Sequence, residues 1–138
     1  MSSKRIREAK YFELGRQAEK DGQLKEAVKQ YLLLLKRNPA HIEANNRLIM
    51  TYRKLHEYSK EISLIENASS ALQQEIETRQ QHYIDENPEK ARDTRELAVS
   101  LGLLGKKGLP IVENEIIKRW QKRLPVVQKK LERIKKTK

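Results

Sequence analysis

The sequence predicts an all-α fold of stacked helical hairpins, a short α–α superhelix closed by C-terminal capping helices. Three observations carry that reading. An apolar pattern recurs at an offset of 34 residues: Leu14 answers Leu48, Ala18 answers Tyr52, Leu24 answers Tyr58, Tyr31 answers Ile65 and Leu34 answers Ala68. A fixed period of that size marks helical hairpins that stack side by side. Apolar residues elsewhere fall three and four apart, and β-branched runs bounded by turn residues are missing, which argues against a sheet. Finally, 138 residues contain only 5 Gly and 4 Pro, so the breaks in the chain are few and easily placed.

Taken in order, the first helix is expected to start near Ser3 as N-cap, with Ile6, Tyr11, Leu14 and Ala18 on one face. Asp21-Gly22-Gln23 ends it, because Gly22 can adopt the left-handed conformation that closes a helix. A second helix, Leu24 to about Arg37, has the broadest apolar face (Ala27, Val28, Tyr31, Leu32, Leu34, Leu35) and is expected to be the most buried. Asn38-Pro39 stops it, since proline lacks the next backbone donor.

A third helix spans about Ile42–Leu55 with Ala44, Leu48, Ile49 and Tyr52 inward, and His56-Glu57 forms the turn. The fourth begins near Tyr58 and turns Ile62, Ile65, Ala68, Leu72 and Ile76 inward. Gln73 stands where the first hairpin has Pro39, so this helix is expected to run on to about Tyr83 or Ile84. Asn87-Pro88 is the next break, with Asn87 as N-cap and Pro88 at the first helical position. A helix over about Pro88–Leu104, a loop at Gly105–Pro110 and a final helical segment from Ile111 complete the chain. That segment carries Ile117, Trp120, Leu124, Val127, Leu131 and Ile134 in a heptad-like stripe, with Pro125 expected to kink or split it.

The length suits a single domain over residues 1–138, made of two hairpins (5–72) and an extended helix with a basic helical cap (73–138). Without cysteine the chain has no disulfide, no thiolate chemistry and no Cys-based zinc site. No apolar run approaches bilayer length and Met1–Lys10 has no apolar core of a secretory signal, so a cytoplasmic protein is expected. His41, His56 and His82 have no ligand spacing, no hydroxyl sits beside a base in a recognisable arrangement, and no glycine loop cradles phosphate. Neither an enzyme nor a cofactor is therefore expected. The formal charge is +11, and residues 114–138 hold ten basic and two acidic side chains. Such an end attracts nucleic acid, anionic membrane or acidic protein.

The first hairpin reads Tyr11-x2-Leu14-Gly15-x2-Ala18, then Ala27-x3-Tyr31, then Pro39. Gly15 and Ala27 lack bulk, so two helices can approach closely while Leu14, Leu24 and Tyr31 fill the space around the contact. This pattern resembles the tetratricopeptide repeat over residues 8–72, about two repeats, with Tyr11 at the usual tryptophan and Ala18 at the usual tyrosine. The second copy departs from it: Asn45 replaces the opening aromatic, Ile49 the glycine and Glu61 the small residue, and no proline closes it. A single hairpin cannot bury its own apolar face, and two are few for a stable array. The C-terminal helices are expected to cap the stack, with dimerisation through an open end as the other solution.

The resemblance implies a peptide- or helix-binding groove lined by the first helix of each hairpin, here Phe12, Arg16, Asn46, Met50, Arg53 and Lys54. The function it implies is that of a non-enzymatic protein–protein adaptor whose basic rim suits an acidic peptide. The carboxylate clamp of chaperone-binding members is not met, because Phe12, Arg16 and Arg47 stand at its Lys and Asn positions. A second reading assigns Lys118, Arg119, Lys122, Arg123, Lys129 and Lys130 to phosphates or an acidic partner, as in a nucleic-acid-associated factor. In that segment Trp120 keeps register with Ile117 and Leu124 and belongs to the core. A third reading is a homo-oligomeric scaffold built on the long fourth helix. A membrane role is disfavoured, since Pro125 interrupts a stripe holding one Trp and no Phe.

Overall fold

The computed structural model describes residues 3–90, 92, 93, 96 and 111–137. Every regular element among them is helical: α1 (Ser3–Lys20), α2 (Leu24–Arg37), α3 (Ile42–Lys54), α4 (Tyr58–Glu86) and α5 (Ile111–Thr137). Residues 88–90, 92, 93 and 96 are helical as well, and the rest of the helix expected over Pro88–Leu104, with the loop after it, lies outside the described residues. Each helix packs on the one before it: α2 on α1, α3 on α2, α4 on α3 and α5 on α4. Among the described residues, no helix is long and apolar enough to cross a membrane.

The first hairpin closes as its small residues require. A Cβ added at Gly15 would sit 2.7 Å from Cδ1 and Cζ of Tyr31, so only glycine lets that ring lie across α1. Ala27 and Tyr31 are fully buried. Both hairpin turns have the same closing geometry 34 residues apart. Gln23 N–H donates to the Ala18 carbonyl (2.8 Å) and Gly22 N–H to that of Glu19 (3.1 Å). Glu57 N–H donates to Tyr52 (3.0 Å) and His56 N–H to Arg53 (3.2 Å) in the same way. This is the Schellman arrangement, which needs a left-handed residue. Gly22 takes it at φ 76° and His56 at φ 57°.

Two apolar clusters follow. One joins α1, α2 and α3 through Ala18, Tyr31, Leu34, Leu48 and Tyr52. The other joins α3, α4 and α5 through Ile49, Ile65, Leu72, Ile76, Ile117 and Trp120. Leu64 packs against both and makes the stack continuous. Trp120 is 4% exposed, so its place in the core is as the stripe predicts.

Several expectations need correction. Ile6, Leu14 and Leu32 are exposed rather than inward. The most buried helix of the two hairpins is α3, which buries Ala44, Asn45, Leu48, Ile49, Thr51 and Tyr52. Ser3 already lies inside α1 and is not its N-cap. His41 caps α3: its Nδ1 accepts from Ala44 N–H at 3.1 Å. Pro125 does not split α5, which runs through it unbroken. Proline withholds one donor from the preceding turn, and the Gln121 carbonyl that loses it belongs to an exposed residue open to water.

The departures of the second copy are not gaps in packing. Asn45 is buried, and its Nδ2 donates to the Pro39 carbonyl (3.0 Å) and the His41 carbonyl (2.9 Å), which ties the interhelical turn to α3. Ile49 joins the core shared with α5. Glu61 is fully buried and receives Arg123 Nε on Oε2 at 3.0 Å. At the other end of the pair, Arg79 Nη2 lies 3.0 and 3.1 Å from the two carboxylate oxygens of Glu113. These two ties fix α5 antiparallel to α4.

Candidate functional site: the outer face of α3

On a helix, residues 46, 47, 50, 53 and 54 share one side, opposite the buried Ala44, Leu48, Ile49 and Tyr52. Helical geometry therefore brings Asn46, Met50, Arg53 and Lys54 together as expected, and adds Arg47. The strip is bounded by α1 on one side and α5 on the other.

On the α1 side, the organising group is Glu19, whose side chain is 4% exposed. Its Oε1 accepts from Thr51 Oγ1 at 2.8 Å. Its Oε2 is approached by Tyr31 Oη (2.9 Å), Arg47 Nε (3.0 Å), Arg47 Nη2 (2.8 Å) and Arg16 Nη1 (3.0 Å). One carboxylate thus ties α1 to α2 and α3. Burial alone would push its pKa up, but the hydrogen bonds from Arg47, Thr51 and Tyr31 outweigh that and hold it below the ordinary value. Burial, reinforced by the Glu19 carboxylate, pushes the Tyr31 hydroxyl up to about 12. Burial opposes the charge on Arg47, yet Glu19 more than compensates and its pKa is raised.

On the α5 side, Arg53 Nε lies 3.9 Å from the same Glu61 oxygen that receives Arg123. Asn46 Oδ1 accepts from Trp120 Nε1 at 2.7 Å. The two sides therefore repeat one device, a buried carboxylate holding arginines from two helices. Arg16, Arg47 and Arg53 keep side-chain exposures of 37%, 27% and 44%, so each side chain is paired to a carboxylate yet remains partly open to solvent. Between them Met50 is exposed, with Arg47 Nη1 3.9 Å from its Sδ.

The remaining groove residues lie differently. Phe12 is half-buried, its ring 6.0 Å from that of Tyr31 and 5.9 Å from that of His41, so it packs the hairpin and is not an open anchor. Asn46 is engaged by Trp120, which seats α5 on α3. Of the basic C-terminal residues, Lys118, Arg119, Lys122, Lys129 and Lys130 are exposed, whereas Arg123 is drawn inward to Glu61. Arg123 therefore leaves the set of phosphate-facing cations. Sequence reasoning missed Glu19 and Arg47 as partners. The signal was present: Phe12, Arg16 and Glu19 share one face of α1, and a carboxylate there faces whatever stacks on it. No metal-holding group of His and acidic residues occurs among the described residues.

No protein-family model, no curated protein and no solved structure matches this chain.

Proposed function

We propose that the chain is a non-enzymatic interaction module that binds an acidic segment of a partner protein across the outer face of α3. The observation that carries this reading is the set of guanidinium groups held in place by buried carboxylates around exposed Met50. An arginine already fixed by a carboxylate loses little side-chain entropy on binding. Four arginines share the two carboxylates Glu19 and Glu61, so the face keeps a net positive charge that steers an acidic partner. Met50 supplies one apolar contact at its centre. The likeness of the first hairpin to the tetratricopeptide repeat, a family that binds peptides on its stacked helices, supports the same reading.

The test uses an Asp/Glu-rich peptide carrying a central leucine, titrated against the full chain by fluorescence anisotropy at low salt. Replacing Arg16→Gln, Arg53→Gln and Lys54→Glu together should weaken binding at least about tenfold, a loss of about 1.4 kcal/mol. Met50→Ala should weaken it further. Glutamine is preferred at Arg16 and Arg53 because a carboxylate there would face buried Glu19 or Glu61. Equal affinity for the triple variant and the parent would overturn the proposal.

A further inference from the structure

We infer that the solvent face of α5 is a second site, one that takes the phosphate backbone of a nucleic acid. It shares no side chain with the α3 face and stands or falls independently of it. With 100° between successive residues, Lys118, Lys122, Lys129, Arg133 and Lys136 fall within about 60° of one another, in a single line. The line spans about 27 Å at 1.5 Å per residue, and neighbouring cations four residues apart are about 6 Å apart along the axis. All five side chains are exposed. Lys118 lies 3.6 Å from Glu115, while Lys122, Lys129 and Lys136 pair with no carboxylate among the described residues.

The opposite face decides between partners. Ile117, Trp120 and Val127 are buried, the first two in the core shared with α3 and α4, and Glu61 and Asn46 hold α5 down through Arg123 and Trp120. An amphipathic helix binds a bilayer by inserting its apolar face, and here that face is spent on the fold. A protein partner would gain its affinity from buried aromatic or aliphatic anchors. The line offers none beyond Pro125 and Val126 at its edge. A line of cations on one helix face, with little apolar surface among them, instead complements a polymer of anions. Four of the five are lysines, which contact phosphate as point charges, so the binding is indifferent to base sequence.

The experiment follows a labelled duplex DNA of about 20 base pairs, and an RNA strand of about 20 nucleotides, binding the full chain at rising salt. Four lysine–phosphate contacts predict a log–log slope of about −3.6 on duplex DNA and about −2.8 on the single strand. Between 50 and 200 mM salt that is a loss of roughly 150-fold and 50-fold. The ratio of the two affinities at one salt concentration tells duplex from single strand as the better-fitting form. Lys122→Glu/Lys129→Glu/Lys136→Glu should flatten the duplex slope by about 2.7, at about 0.9 for each lysine removed. Circular dichroism should show its helix content unchanged, because these side chains touch no core residue. The triple substitution in α3 should leave nucleic-acid binding intact. The inference is overturned by three outcomes. One is that neither polymer binds at 50 mM salt. Another is that the α5 variant keeps the parent's affinity and slope. The last is that an acidic peptide binds this face while both nucleic acids fail to.

Discussion

Removing the Glu19 carboxylate should be the most damaging single truncation on the α1 side of the stack. Glu19→Ala strands Arg47, Thr51 and the Tyr31 hydroxyl at once. Breaking a buried ion pair by deleting one partner costs about 3–5 kcal/mol. Arg47 keeps some access to water, so its share falls at the lower end. The fully buried Tyr31 hydroxyl adds about 1–3 kcal/mol as an unsatisfied donor. Thr51 Oγ1 retains the Arg47 carbonyl at 2.7 Å and adds little. The expected total is about 4–6 kcal/mol, a large part of the roughly 5–15 kcal/mol that holds a domain folded. Urea unfolding followed by circular dichroism should show a lower midpoint with the slope unchanged. Glu19→Gln keeps the volume and loses the charge, and should cost about half as much.

The pH dependence separates this account from simple packing. The Glu19 pKa is depressed on folding, so its contribution is fully present above the unfolded carboxylate value and disappears as pH falls through the folded one. The stability gap between parent and Glu19→Gln should therefore close in acid. For Tyr31 the sign is reversed: its pKa rises from 10.0 to about 12, so that stability is present below pH 10 and is lost as pH climbs through 12. A Glu19→Ala variant within about 1 kcal/mol of the parent, or a gap constant from pH 7 to pH 3, would refute the reasoning.

Three further substitutions probe the hairpins themselves. Gly15→Ala should destabilise by about 1–3 kcal/mol, because the Tyr31 ring it meets is buried and its hydroxyl is tied to Glu19, leaving no cheap way to yield; thermal unfolding measures it. His56→Gly should stabilise by about 0.5–1 kcal/mol, since His56 occupies the left-handed region at φ 57° and gives up only an exposed contact with Tyr58. In the same assay Gly22→Ala should move the other way by a similar amount, its φ being 76°.

Where one residue type has one physical use, the sequence was a sufficient guide. Gly22, Pro39 and the missing stop at Gln73 place the first four helices to within two or three residues of their ends. Gly15 and Ala27 announce the close contact that Tyr31 then fills. Where a residue's use depends on what stacks against it, reading along the chain fails. Leu14 is apolar and in register but faces solvent, because register alone does not say which side of a helix acquires a neighbour. Glu61 stands only as a departure from the repeat and Arg123 as a candidate phosphate contact, and the partner of each lies on a helix distant in sequence: they meet each other across 62 residues, as Glu19 meets Arg47 of α3, 28 residues on. The candidate face on α3 was legible as a set of positions. What anchors its arginines was not.

The second hairpin's departures from the first form one device. Glu61 at the small-residue position would spoil a close α3–α4 contact if it had to be solvated. Here it is enclosed because Arg123 arrives from α5 to meet it. The missing proline extends α4 past Gln73, and that extension supplies Ile76 to the core with Ile117, and Arg79 to Glu113. Ile49, where the first hairpin has glycine, packs in the cluster that holds Trp120. Apart from Asn45, which ties the interhelical turn to α3, each exception to the repeat is thus a contact for α5. The ion pair adds little net stability, since Glu61 Oε1 and Arg123 Nη2 remain buried without a protein partner. Its effect is on register. Sliding α5 one turn along α4 would leave both charges buried and unpaired, and would break the Trp120–Asn46 bond as well. The cost of that error holds the basic line on α5 and the arginines on α3 in fixed relation on a stack of only two hairpins.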